Sequence, residues 1–221
     1  MKINEQGRSM IEMLGVLAVV GILSVSGISS FSTAMEKYRM NQSLIQIKSL
    51  LDVVYVYARQ WRIKPAGNDK ITLIPYIKAI DSVPEGMQEI KGITANDMLL
   101  KNSYESYIRV YINGSKYYHQ TMFTINGTTA WEANIEAINK KNLITYCAQI
   151  LESIQQIYRE SPKAFCYIYF RCRPNGFPVT NLTEKQYNFQ TMNIGEISSL
   201  CTQYITDKGG FFIQACFNNT N

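Results

Sequence analysis

Histidine is almost absent from this chain of 221 residues, in which His119 is the only one. A single histidine leaves little material for the usual general base, and the five cysteines include no Cys-x-x-Cys spacing that would favour zinc. The chain also has no Gly-x-Ser-x-Gly elbow, P-loop or His-Glu-x-x-His helix. We therefore predict a protein that is not an enzyme, that holds no metal and no cofactor, and in which His119 has a structural role.

The chain also lacks a cluster of lysine and arginine with interleaved aromatic residues, although its formal net charge is +5. Such a cluster is what a groove for DNA or RNA needs, so nucleic acid is not an expected partner. There is no low-complexity tract or internal repeat. The 15 tyrosines are predicted to be sheet and packing residues rather than a binding platform.

A membrane-length apolar run is present near the N-terminus. A short charged leader ends at Gly7, and Met10 to Ile28 can span a bilayer, which takes about 20 apolar residues. Glu12 lies inside this run, where a charged side chain costs roughly 2.5 to 3.5 kcal/mol at the bilayer centre and less near an interface. A secretory signal peptide, for which Ser24-Val25-Ser26 would be the cleavage site, would need a more basic leader and no acidic residue at the start of its core. A plain membrane anchor would leave Glu12 unexplained.

Gly7, followed by Glu12 as the fifth residue from Arg8 on an apolar helix, gives the chain the order of a type IV prepilin, which it resembles. Type IVb pilins and related pseudopilins are the nearest groups. The resemblance implies that a prepilin peptidase cuts after Gly7 and methylates the new amine of Arg8. It also implies that Glu12 pairs with the N-terminal ammonium of a neighbouring subunit. Alternatively, Arg8 and Glu12, four residues apart, pair within one subunit.

Two features depart from the usual pattern of this family. Arg8 replaces the commoner apolar first residue, and the proline that often kinks the apolar helix is missing. The stretch from Ser24 to Thr33 is rich in residues that compete with helical hydrogen bonding, so local melting of the helix in a filament is expected there.

The resemblance implies a structural subunit, a major or minor pilin. It would first sit in the bacterial inner membrane as a single-pass protein with its head in the periplasm. An inner-membrane assembly platform would then add it to copies of itself and to other pilins in an extracellular type IV pilus. The alternatives are a type II secretion pseudopilin, in a periplasmic pseudopilus, and a non-polymerising anchored periplasmic binding protein or enzyme. Whether the filament serves adhesion, secretion or another contact stays open.

The helical pattern continues beyond the membrane segment. Apolar positions recur at helical spacing and predict a helix that ends at Trp61 or Arg62: Leu44, Ile47, Leu51, Val54, Ala58 and Trp61. The predicted organisation is a leader at 1–7, a membrane and assembly helix at 8–30, its amphipathic continuation at 31–62, and a head at 63–221.

The head is predicted to be α+β, with an antiparallel sheet as its core. Alternating residues predict strands at 107–112 and 116–125 joined by a turn at Asn113-Gly114. A helix is predicted from the N-cap Asn139 to Ser161, because apolar residues recur there at helical spacing: Leu143, Cys147, Ile150, Ile154 and Ile157. A second helix is predicted at 193–204, with Asn193 as its cap and Glu196 three residues on. Further strands are expected at 131–137, 164–170 and 211–217, although 129–132 also resembles the capping box of a helix.

Five cysteines in an exported head would form disulfides, and their spacing leaves the pairing open. The resemblance to type IVb pilins implies a bond between Cys147 and Cys201, with Cys201 to Cys216 as the second choice. Cys166, Cys172 and Cys216 exceed the usual pair of that family.

Overall fold

The structure is a computed structural model that describes residues 5–58, 60, 61, 63, 69–91, 98–114, 119–126, 140–172, 179–183, 188–205 and 211–218. The chain divides into two compact units, Met1–Asn41 and Gln42–Asn221. Helix α1 (Glu5–Tyr57) contributes residues to both.

In the first unit, the described residues belong to α1. The sequence there has no proline, the residue that most disfavours a helix interior. Ser24 and Thr33 lie in its serine-rich stretch, and their hydroxyls donate to the carbonyls of Val20 (2.7 Å) and Ser29 (3.1 Å), four residues earlier. The backbone is helical throughout the stretch, so melting of this segment in a filament stays a prediction.

The second unit is built on an antiparallel sheet. The described elements that follow α1 are β1 (Lys70–Thr72), α2 (Ile74–Ala79), β2 (Gln88–Lys91), β3 (Met98–Lys101), β4 (Tyr107–Gly114), β5 (His119–Asn126), α3 (Lys140–Glu160), a 3-10 turn (Pro162–Ala164), β6 (Phe165–Cys172), β7 (Val179–Asn181), α4 (Ile194–Tyr204) and β8 (Phe211–Asn218). The strand order is β2-β3-β4-β5-β8-β6-β7, and β1 pairs with β4 in addition. The predicted α+β class with an antiparallel sheet is confirmed.

The long strands β4, β5, β8 and β6 form the centre of this sheet. Side chains alternate along β4, and Ile108, Val110 and Ile112 are fully buried while the residues between them are partly exposed. Such alternation is typical of a strand with one face on the core. The register runs from Tyr107 paired with Asn126 to Gly114 paired with His119.

Helix α3 buries the apolar stripe that its spacing predicts. All five predicted core positions are buried: Leu143, Cys147, Ile150, Ile154 and Ile157. The C-terminal part of α1 likewise buries Ile47, Leu51 and Val54, whereas Leu44 is only partly buried. Beyond the end of the helix, Ala58 is buried and Trp61 is partly buried. The predicted burial of one apolar face on each helix is thus confirmed, although the first and last positions predicted for the stripe of α1 are only partly buried.

Helix α4 begins as the sequence predicts. The Asn193 side chain accepts a hydrogen bond from the Glu196 amide (3.0 Å), and the Glu196 carboxylate accepts one from the Asn193 amide (2.8 Å). This reciprocal capping box satisfies two amides that a helix start leaves without partners. The predicted strands at 164–170 and 211–217 are confirmed as β6 and β8.

Two local predictions are wrong. Helix α1 ends at Tyr57, short of Trp61, although the Trp61 amide still donates to the Tyr57 carbonyl (3.0 Å) in a following turn. Asn113 and Gly114 do not form the hairpin turn, because both are strand residues: Asn113 pairs with Lys70 and with Gln120. The cap Asn139 and the segment at 131–137 lie outside the described residues.

Candidate functional site

The first candidate site is the apolar stretch of α1. Its large hydrophobic side chains are 52% to 73% exposed: Met10, Ile11, Met13, Leu14, Val16, Leu17, Val19, Val20, Ile22, Leu23, Val25, Ile28 and Phe31. The helix contains an 18-residue window with a mean hydropathy of 2.2, and none of that window is buried within the chain. By length and composition this stretch can cross a bilayer.

Glu12 lies near the start of this stretch with its side chain exposed. Gly7 and Arg8 precede it in the same helix, and the side chain of Arg8 is outside the described part of the chain. Because residues four apart share a helix face, the positions of Arg8 and Glu12 are neighbours. The backbone therefore allows a pair within one subunit as well as a pair with a second chain.

The glycines of the apolar stretch have open space around them. Apart from each glycine, its two chain neighbours and the adjacent backbone of α1, no described atom lies within 4 Å of the place where a Cβ would sit at Gly15, Gly21 or Gly27. No packing within the described chain requires a glycine at these positions. Small residues in a membrane helix let a second helix approach closely.

The second candidate site is a pair of cysteines in the head. The sulfur atoms of Cys147 on α3 and Cys201 on α4 are 2.07 Å apart, at disulfide distance, with their Cα atoms 6.1 Å apart. These are the two cysteines that the resemblance to type IVb pilins pairs. Both side chains are fully buried. The second choice, Cys201 with Cys216, is absent: Cys201 already has a partner, and Cys216 is a free thiol.

A buried polar network joins α1 to the rest of the head. The Tyr146 hydroxyl accepts a hydrogen bond from the side-chain Nδ2 of Asn102 (2.9 Å) and shares another with the Ser43 hydroxyl. Burial raises the pKa of Tyr146, and the hydrogen bonds with Ser43 and Asn102 oppose that rise in part. The hydroxyl therefore stays protonated at neutral pH.

Gln46 lies on the same face of α1 as Ser43 and makes two further hydrogen bonds to the head. Its Nε2 donates to the Glu85 carbonyl (2.7 Å), and its Oε1 accepts from the Ser103 amide (3.0 Å). Gly86 has φ +78°, and a Cβ there would lie 3.1 Å from Gln46 Nε2, so a larger residue would crowd this amide. Sequence periodicity missed Ser43 and Gln46 because it scores apolar residues, and both side chains are polar.

The described residues provide no candidate metal site, and His119 is placed only by its backbone. Among the described residues, no group of three or more histidine, cysteine, aspartate or glutamate side chains is placed to hold a metal ion. His119 is the first residue of β5, paired with Gly114, and its side chain is outside the described part of the chain.

Comparison with known proteins gives one structural similarity to report. No protein-family model matches the chain, and no curated protein is significantly similar to it. A solved structure, the type IV b pilin from Salmonella typhi, is similar over 81% of this chain and 99% of that chain, with 14% identity and a TM-score of 0.44. These values are too low to transfer a function, which must therefore come from the residues of this chain.

Proposed function

We propose that this protein is a prepilin, cleaved after Gly7 and polymerised through α1 into a type IV pilus or a pilus-like filament. The observation that carries the proposal is the position of Glu12, the fifth residue after Gly7, on a helix whose apolar side chains are exposed along a membrane-length stretch. Before assembly this stretch holds the subunit in the inner membrane, with the head in the periplasm.

Glu12 favours association of the helix with a second copy of the chain. In a low-dielectric surrounding, an unpaired carboxylate is costly, and a neighbouring ammonium removes that cost. A pair of opposite charges 4 Å apart interacts by about 4 kcal/mol at an effective dielectric constant of 20. Cleavage after Gly7 creates such an ammonium at Arg8, so the same processing step makes the subunit competent for pairing.

The head has features that suit an exported subunit. A disulfide between Cys147 and Cys201 links α3 to α4, and bonds of this kind persist in oxidising compartments. The cysteines also favour a pilin over a type II secretion pseudopilin, since pseudopilins usually lack disulfides. Open space around Gly15 and Gly21 suits close approach by the helix of another subunit.

The first experiment is the intact mass and N-terminal peptide of the protein extracted from its own membranes. We expect a chain that begins at a methylated Arg8. A chain that still begins at Met1, or one cut beyond Ser24, contradicts the proposal and favours an anchored or secreted protein.

Replacing the charge at position 12 separates insertion from assembly. Glu12→Gln should insert and be cleaved normally, because insertion requires only apolarity, while filament yield falls at least tenfold for a loss of about 1.4 kcal/mol or more per contact. Glu36→Gln is the matched control, since it removes the same charge from the same helix beyond the apolar stretch.

The readout is the amount of subunit in filaments sheared from cells, compared with the amount left in the membrane. Normal filament yield from Glu12→Gln would refute the pairing. Subunit that assembles but stays in the periplasm would identify a pseudopilus rather than a surface pilus.

A further inference from the structure

Cys166 and Cys216 lie next to each other on the paired strands β6 and β8. Phe165 pairs with Phe217, and Tyr167 pairs with Cys216. Two residues along β6 therefore correspond to one residue along β8, and Cys166 is the extra residue of this β-bulge. A bulge of this kind places two residues of one strand against one residue of its partner. Cys166 is therefore held beside Cys216 by the backbone register of two central strands.

No other described cysteine is within reach of these two. Cys147 and Cys201 are already bonded to each other. Cys172 ends β6 and pairs with Phe211 at the start of β8. At about 3.3 Å per residue, it lies roughly 20 Å along β6 from Cys166, whereas a disulfide needs Cα atoms within about 7 Å. Cys172 is separated from Cys216 by about 16 Å along β8 for the same reason.

The two thiols have different surroundings. Cys166 is half-buried, and its Sγ lies 3.2 Å from the Asn218 Oδ1, whereas Cys216 is fully buried. The pKa of Cys166 is lowered, chiefly because the Cys216 thiol can donate a hydrogen bond to its thiolate, while burial raises the pKa of Cys216. The thiolate is the reactive form of cysteine, so the reachable sulfur is also the more reactive one.

We propose that Cys166 and Cys216 form a second disulfide across β6 and β8 by exchange with an external disulfide, with Cys166 as the attacking thiol and Cys216 as the resolving thiol. Glutathione disulfide is a sufficient oxidant. Cys172 is then the odd cysteine of the chain.

The exchange has two steps. The Cys166 thiol loses its proton to water, and its sulfur attacks one sulfur of glutathione disulfide, which releases a first glutathione thiolate and leaves a mixed disulfide. The Cys216 sulfur then attacks the Cys166 sulfur, and the departing second glutathione takes up the Cys216 proton. The protein dithiol is oxidised, and one glutathione disulfide is reduced to two glutathione thiols.

The test uses the full chain in detergent micelles, fully reduced and then incubated with glutathione disulfide. After alkylation of the remaining thiols, trypsin places each of the five cysteines in a separate peptide: 142–159, 164–171, 172–185, 186–208 and 209–221. We expect peptide 164–171 linked to 209–221, and Cys172, in peptide 172–185, linked to no other cysteine peptide.

Single variants test the order of attack. In Cys216→Ala the mixed disulfide cannot be resolved, so we expect glutathione to stay attached to peptide 164–171. In Cys166→Ser we expect Cys216 to remain an unmodified thiol, because its side chain is fully buried. Cys172→Ser is the matched control and should leave the 164–171 to 209–221 link unchanged.

Three results would overturn the proposal: alkylated Cys166 and Cys216 in oxidised wild-type protein, a link from either one to a different cysteine peptide, or glutathione retained on wild-type 164–171. The wild-type peptide map decides the question even if a variant fails to fold. Because glutathione is supplied in solution, the outcome is independent of cleavage at Gly7 and of filament assembly.

Discussion

Removal of the Cys147–Cys201 bond should destabilise the head strongly. The two cysteines are 54 residues apart in sequence and connect α3 with α4. Alanine is the suitable replacement at both positions, since each side chain is fully buried and a serine hydroxyl would need a partner there. Both substitutions are made in a background protein that carries Cys166→Ala and Cys216→Ala. A reductant then has no second disulfide between β6 and β8 to act on.

The expected magnitude follows from the length of the closed loop. A bond that closes a loop of about 55 residues lowers the entropy of the unfolded chain enough to stabilise the folded state by about 4 kcal/mol in the chain-entropy model. The unit Gln42–Asn221 has about 180 residues. At roughly 2.1 cal/mol/K per residue, its unfolding entropy is about 0.4 kcal/mol/K, so the denaturation temperature should fall by about 10 °C.

Near-UV circular dichroism of the full chain in detergent micelles measures this loss, because the tyrosines of the head report its packing. Without reductant, the background protein, which keeps Cys147 and Cys201, should melt about 10 °C above the variant that also carries Cys147→Ala and Cys201→Ala. With reductant, its melting temperature should fall to that of the variant, which should itself be unaffected. Equal melting temperatures without reductant would refute the contribution assigned to this bond.

Two further substitutions test the head by the same melting assay. Tyr146→Phe should cost about 1 to 3 kcal/mol because it leaves two buried polar partners unsatisfied; Tyr55→Phe, which removes a partly buried bond to Ser161, should cost less, and an equal loss from both would contradict the role of the network. Asn193→Ala should cost about 1 kcal/mol through loss of the α4 cap, and an unchanged melting temperature would show that the capping box adds nothing.

Local chemistry was enough to predict the helices of the head. Asn193 and Glu196 stand three residues apart before an apolar run, and the structure starts α4 with this capping box. The apolar positions of α3 recur at helical spacing, and the structure buries them. In each case the residues that decide the structure are close neighbours in sequence, so pattern and propensity carry the information.

Distant pairing explains the wrong hairpin turn. Asn-Gly favours a tight turn when only local residues compete. Here β1 lies along the end of β4: Asn113 pairs with Lys70, and the Gly114 amide donates to the Asp69 carbonyl (3.0 Å). These hydrogen bonds extend the strand through the predicted turn. Periodicity within 107–125 carries no information on a partner more than 40 residues earlier in the chain.

The buried face of α1 shows a different limit of sequence patterns. An apolar stripe specifies which face of a helix is buried, but it specifies the position along the helix axis only weakly, because neighbouring apolar residues can replace one another. Ser43 and Gln46 add that information, since each meets a polar partner at one position. A shift of the helix by one turn would move both by about 5.4 Å and leave buried polar groups unpaired. The polar residues thus fix the axial register of α1 within the head, while the apolar residues provide most of the burial.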